Sequence, residues 1–176
     1  TTLKATLRRA KRMSPKPVPE GHYATLANGY RVHYLDEGQG PVLVLLHGSG
    51  NGACGISNFR GNIPALVAAG YRVIAPDLIG FGYSDKPSDV EYPLSFFIEC
   101  VKQALDAIGV DKYTLIGNSL GGAVALGFAL AHPQNVERLV LMAPGGLNDL
   151  PDYLAMPGIA AMFALYGSGQ PVTEAA

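Results

Sequence analysis

Between residues 31 and 142, short apolar runs alternate with longer stretches in which apolar residues recur every three or four positions. Arg31 to Leu35 alternates polar and apolar residues, as a strand with one wet face does, whereas Val42 to Leu46 is continuously apolar and suits a strand covered on both faces. Asn62 to Ala69 predicts a short helix with Pro64 in its first turn, where the missing N–H has no partner to lose. Arg72 to Ala75 predicts another covered strand, stopped by Pro76. From Ser95 to Ile108 the positions Phe96, Phe97, Cys100, Val101, Leu105 and Ile108 keep the helical period, and Gly109 supplies a C-terminal stop. Tyr113 to Gly117 then predicts a strand, Leu120 to Ala131 a helix closed by His132-Pro133, and Arg138 to Met142 a strand. This alternation is the signature of an α/β chain with a doubly wound, mostly parallel sheet and function at the carboxyl ends of its strands. Residues 143–176 break it, with Pro144-Gly145-Gly146, one apolar helix from Met156 to Tyr166, and a Gly-rich stretch from Gly167 to Pro171.

The 176 residues are 48% hydrophobic and 15% charged, against about 25% charged in an average soluble domain, so a well-buried core is expected. No apolar run approaches the roughly 18 residues that a membrane span needs, because His47 and His132 interrupt the two best stretches. The net charge of −1 hides an asymmetry: Lys4, Arg8, Arg9, Lys11, Arg12 and Lys16 are six of the 13 basic residues. From residue 21 onward, seven basic residues face 13 acidic ones. An acidic body repels phosphate, so the arm at residues 1–20 is expected to be a solvated extension rather than a nucleic-acid or membrane-surface tail. It lacks the apolar segment of a secretory signal, and cytoplasm is the default compartment, with a transit peptide the alternative. Cys54 and Cys100 do not make a disulfide framework and are expected to be free thiols.

Two glycine-rich segments carry the chemistry. Leu115-Ile116-Gly117-Asn118-Ser119-Leu120-Gly121-Gly122 matches Gly-x-Ser-x-Gly directly after a predicted strand and opening a predicted helix. A nucleophile on such a turn needs small neighbours two positions either side, and the helix N-terminus favours developing negative charge. The bland alternative is a turn with a capping serine. Leu45-Leu46-His47-Gly48-Ser49-Gly50-Asn51-Gly52 follows the covered strand, and its Ser49 N–H could complete an oxyanion hole with that of Leu120. Phosphate binding by this loop is disfavoured, since it has neither Gly-x-Gly-x-x-Gly nor a Walker lysine.

His47-Gly48, the run Pro76-Asp77-Leu78-Ile79-Gly80-Phe81-Gly82-Tyr83-Ser84, and Gly117 to Gly122, in this order and spacing, resemble the N-terminal half of an α/β-hydrolase-fold enzyme, from about Tyr23 to Gly146. Within it, HGSGNGACGISNFRGN from His47 to Asn62 is similar to the loop of meta-cleavage product hydrolases, which cut carbon–carbon bonds in vinylogous diketones of aromatic catabolism. The resemblance implies Ser119 as nucleophile or activating hydroxyl and the Ser49 and Leu120 amides as oxyanion hole. It also implies Asn58 and Asn118 as contacts to the substrate's oxygen-rich end, with Gly48 and Gly50 as further substrate-binding positions. Asn118 also reads as a turn residue and Asn58 as an N-cap near the following helix. Asp77 is assigned to a structural turn and His47 to ordering its own loop.

A serine hydroxyl needs a base oriented by a third group, and the order expected in this fold is Ser, acid, His. After Ser119 the sequence holds one histidine, His132, at the far end of the predicted helix and roughly 20 Å from the elbow. His22 and His33 lie ahead of the covered strand, and Asp149 and Asp152 stand too far past Met142 to serve as the acid. The acid, the base and most of a cap are therefore expected from the remainder of the protein or from a second polypeptide, with residues 21–146 the N-terminal part of the core and 147–176 the start of a cap or connecting segment. An open sheet edge would otherwise favour association of copies into a homo-oligomer. No metal or cofactor is implied. The leading expectation is hydrolysis of 2-hydroxy-6-oxo-hexa-2,4-dienoate-type small molecules; a carboxylesterase and a non-catalytic ligand receptor are the alternatives.

Overall fold

The computed structural model describes residues 20–167, so all but the last residue of the expected arm at residues 1–20, and the end of the Gly-rich stretch, lie outside the described residues. Six strands form one sheet: β1 (His22–Thr25), β2 (Arg31–Glu37), β3 (Val42–Leu46), β4 (Arg72–Pro76), β5 (Tyr113–Asn118) and β6 (Val136–Met142). Their order is β1-β2-β4-β3-β5-β6. β1 and β2 are antiparallel to each other and β2 to β4, whereas β4, β3, β5 and β6 run parallel.

Among the described residues, six α-helices and one 3-10 turn connect and follow the strands. α1 (Gly55–Phe59) and α2 (Ile63–Ala68) lie between β3 and β4, α3 (Leu94–Ile108) between β4 and β5, and α4 (Leu120–Ala131) between β5 and β6. A single 3-10 turn, Pro133–Asn135, links α4 to β6, and α5 (Leu150–Ala155) and α6 (Pro157–Gly167) follow it. The sheet is covered on both faces because the strands are apolar at successive positions. Val44, Leu46, Ile74 and Leu115 pack with α3 and α4 through Phe97, Val101, Val124 and Phe128. Their neighbours Leu43, Leu45, Val73 and Ala75 turn to the other face, against Phe59 of α1 and Ile63 of α2. Cys100 lies in the first of these cores, and burial pushes its thiol up to about 11.

The predicted elements are all present, with some displaced ends. β6 starts at Val136, two residues early, because the 3-10 turn with Pro133 delivers an extended chain directly. β1 escapes the sequence pattern: its four residues HYAT hold too short an alternation, and its pairing with β2 makes it a strand. β6 pairs with β5 on one side; its other edge is unpaired among the described residues, and Val140 and Met142 are exposed there. Among the described residues, no helix is long and apolar enough to cross a membrane.

Candidate active site

β5 ends at Asn118 and α4 begins at Leu120, leaving Ser119 alone at the turn with φ 53° and ψ −116°. A non-glycine residue at positive φ is strained by on the order of 1–3 kcal/mol and persists only where its surroundings hold it. Here they do. Ser119 N–H donates to the Met142 carbonyl at 3.0 Å, and the Ser119 carbonyl accepts from Gly122, Ala123 and Gly145. The end of β6 therefore clamps both sides of the turn. Close approach demands the two flanking glycines: a Cβ on Gly117 would collide with the Gly121 carbonyl, and one on Gly121 with the Leu46 and His47 carbonyls.

The loop after β3 reaches the same place. Gly48 is buried, and a Cβ there would sit 3.1 Å from the Ser119 Cβ. Its N–H donates to Asn58 Oδ1 at 2.9 Å, and Asn118 Nδ2 donates to that same oxygen at 3.1 Å. His47 fixes the next peptide: Nδ1 donates to the Gly48 carbonyl at 2.7 Å, while Nε2 accepts from Leu78 N–H at 2.9 Å. That pairing requires the neutral Nδ1–H tautomer, and burial accordingly pulls the imidazole pKa down against the opposing Gly48 bond and the Asp77 charge. In a trans peptide the N–H points opposite to the C=O, so the anchored Gly48 carbonyl turns the Ser49 N–H away from the buried ring. Among the described residues, neither the Ser49 nor the Leu120 N–H is bound by a backbone carbonyl. Gly50 lies exposed next to this loop at φ 140°.

Asp77 is buried under the loop. Its carboxylate accepts from Gly55 N–H at 2.7 Å, Tyr83 N–H at 2.8 Å and His33 Nδ1 at 3.0 Å. Desolvation pushes its pKa up, yet the His33 and two backbone hydrogen bonds prevail and hold it below the ordinary value. Ser84 Oγ donates to the Asp77 carbonyl and accepts from His33 N–H, which makes this segment the structural turn expected of it.

Ser119, Gly48, Asn58 and Asn118 thus come together. Asn58 is not a helix N-cap: it lies within α1, and Asn62 holds the N-cap position of α2 without a side-chain cap bond. α1 itself, GISNF, is too short for its apolar period to predict it. Cys54 is its N-cap, with Sγ accepting from Ser57 N–H and Ser57 Oγ accepting from Cys54 N–H. A capping box was written in Cys54-x-x-Ser57, with a thiol where the pattern usually has a hydroxyl. His132 stands at the opposite end of α4 from Ser119, its ring 4.8 Å from that of Phe128. Asp149 is the N-cap residue of α5, with no side-chain cap bond. Among the described residues, no cluster of three His, Cys, Asp or Glu side chains could hold a metal ion.

A covered, mostly parallel sheet with a serine on a positive-φ strand-to-helix turn, packed against the glycine-rich loop after β3, defines an α/β-hydrolase type of protein. The sequence profile of the alpha/beta hydrolase fold matches residues 41–168, and the chain belongs to that family. It is similar to 2-hydroxy-6-oxo-6-phenylhexa-2,4-dienoate hydrolase of Burkholderia cepacia, 46% identical over 79% of this chain and 49% of that protein. It is likewise 41% identical to 2-hydroxymuconate semialdehyde hydrolase of Pseudomonas sp. strain CF600, over 77% of this chain and 47% of the relative. Among solved structures, 2-hydroxy-6-oxo-6-phenylhexa-2,4-dienoate hydrolase from Rhodococcus sp. strain RHA1 superposes with a TM-score of 0.72 at 32% identity, covering 86% of this chain and 55% of that one. The chain spans about half the length of the curated relatives it matches.

Proposed function

We propose that the whole protein hydrolyses a carbon–carbon bond in 2-hydroxy-6-oxo-hexa-2,4-dienoate-type compounds, with Ser119 as the reacting hydroxyl. The observation that carries this reading is the convergence of Asn58 and Asn118 on Gly48 beside Ser119. It puts two carboxamides next to a nucleophile turn, where an oxygen-rich substrate end would need hydrogen-bonding partners. Ser119 Oγ adds to the ketone carbon, and the Ser49 and Leu120 N–H groups bind the resulting oxyanion. The substrate reacts as its 2-oxo tautomer, the 2-hydroxyl proton having moved to C5. When the C5–C6 bond breaks, its electron pair therefore passes through the enone to the 2-oxo oxygen, which takes up a proton. Water releases the acyl group as a carboxylic acid and restores the serine. The base that takes the Ser119 proton, and the acid that orients it, come from polypeptide beyond the described residues, and residues from 147 onward begin a cap or connecting segment. Loss of the visible absorbance of a coloured dienoate on adding the full-length protein tests the reading. Turnover of p-nitrophenyl esters without any of the dienoate would replace it with an esterase, and a ligand response untouched by Ser119→Ala would replace it with a receptor.

A further inference from the structure

α1 carries Asn58 to the loop, yet it is five residues long, too short to hold itself in water. Its first residue is Gly55, whose N–H is bound by Asp77 Oδ1 at 2.7 Å. The other carboxylate oxygen is held by His33 Nδ1 and Tyr83 N–H. His33 is 2% exposed, and its ring lies 5.2 Å from those of both Tyr23 and Tyr83. Its Nε2 is buried without any partner among the described residues. A buried nitrogen left unpaired is a cost, and what the ring's placement secures in return is the Nδ1 bond to Asp77. One path of contacts then runs from β2 to the loop: His33 to Asp77, Asp77 to the first turn of α1, and Asn58 at its end to Gly48 and Asn118.

We propose that His33 and Asp77 are a positioning pair for the oxyanion loop, with His33 fixing the plane of the Asp77 carboxylate and Asp77 fixing the α1 turn that places Asn58 against Gly48. The pair touches neither substrate nor Ser119. Removing the His33 donor leaves Tyr83 N–H alone on Oδ2, the carboxylate turns, and the Gly55 anchor loosens. The inference rests on the reading of Ser119 as nucleophile.

Full-length protein carrying His33→Phe is to be compared with His33→Asn, whose Nδ2 takes the place of the imidazole Nδ1. Two quantities are read: kcat and KM on a dienoate, per serine labelled, and the rate constant for inactivation by diethyl p-nitrophenyl phosphate, which reports Ser119 and the amides whatever the natural substrate. His33→Phe is expected to lower kcat and the inactivation rate about tenfold or more at nearly unchanged KM, as loss of a charge-assisted hydrogen bond does, and His33→Asn to restore both. A His33→Phe protein that melts earlier but keeps both rates per labelled serine overturns the proposal, as does an equal loss in His33→Asn. Should His33→Phe not fold, Gly55→Ala displaces the same turn, because its Cβ would lie 2.8 Å from the Ala75 carbonyl; wild-type rates there overturn the proposal, and a kcat-selective loss supports it. A protein inert toward dienoates but phosphorylated normally sinks the substrate reading instead, and the inactivation rates still decide this one.

Discussion

Asn58 Oδ1 accepts the main-chain N–H of Gly48 at 2.9 Å, so a side chain of α1 holds the loop that follows β3. Since Asn118 Nδ2 shares the same oxygen, the free end of the exposed Asn58 side chain is its NH2 group, a donor.

Asn58→Ala leaves the buried Gly48 N–H without an acceptor, a loss of about 1–3 kcal/mol that corresponds to roughly a 5–150-fold drop in kcat/KM if the loop must stay in place. Asn58→Asp keeps the acceptor oxygen but replaces the NH2 donor with negative charge. Steady-state assays should therefore separate them: the alanine variant loses activity on both a dienoate and a p-nitrophenyl ester, whereas the aspartate variant loses chiefly the anionic dienoate. Equal losses on the two substrates in Asn58→Asp would count against a substrate carboxylate lying there.

Gly121 is the residue where α4 lies against the end of β3. A methyl group would collide with the carbonyls of Leu46 and His47, which are backbone atoms of a buried strand and cannot swing aside. Gly121→Ala is expected to cost about 3 kcal/mol or more, read as a lowered urea midpoint, with loss of activity in whatever folds. Gly61→Ala, where nothing lies within 4 Å of the added atom, serves as the control and should leave both unchanged.

The sheet and the elbow were legible because their signals are local. Val42 to Leu46 is an apolar run buried from Leu43 onward, Tyr113 to Asn118 buries every second residue, and Gly117 and Gly121 announce a close approach by their spacing around Ser119. The tie between Asn58 and Gly48 was not legible, because it depends on where a five-residue helix lands after folding. His33 stands 44 positions before Asp77, and nothing local in an alternating strand marks one buried polar position as the partner of a distant carboxylate. No acid or base for Ser119 is legible in the sequence, and the chain spans about half the length of the relatives it matches.

Two groups tie stability to pH in the same direction. His47 is held below its ordinary value of about 6.5 by burial, so the folded state binds its proton less readily than the unfolded chain. Its contribution is complete above that value and is lost as pH falls through it toward the folded value. Asp77, also depressed, stabilises fully above the ordinary carboxylate range and loses its contribution as pH falls through its lower folded value. Urea midpoints should accordingly decline from pH 7 to pH 5 and again below about pH 4. His47→Asn removes the first titration while keeping a donor for the Gly48 carbonyl. It should be less stable at pH 7, having lost the acceptor for Leu78 N–H, and flatter between pH 7 and pH 5. An unaltered decline in that variant would assign the first step to another group.

On the proposed mechanism, Ser119 sets function against stability at a single residue. Its φ of 53° and ψ of −116° are imposed by bonds from Met142, Gly122, Ala123 and Gly145, and those bonds are all made by main-chain atoms, so they survive any substitution that keeps the backbone. Glycine tolerates positive φ at no steric cost, so Ser119→Gly should relieve strain of on the order of 1–3 kcal/mol, offset by about 0.5–1 kcal/mol of extra unfolded-chain entropy. The net expectation is a urea midpoint equal to or above that of the wild type, together with a fall in turnover of about three orders of magnitude or more. Ser119→Ala removes the same hydroxyl but keeps a Cβ at the strained angle, so it should be equally inactive and less stable than the glycine variant. The order of the two midpoints is the decisive quantity: if alanine is the more stable, the turn is not under strain and the clamp from β6 serves some end other than holding the serine upright.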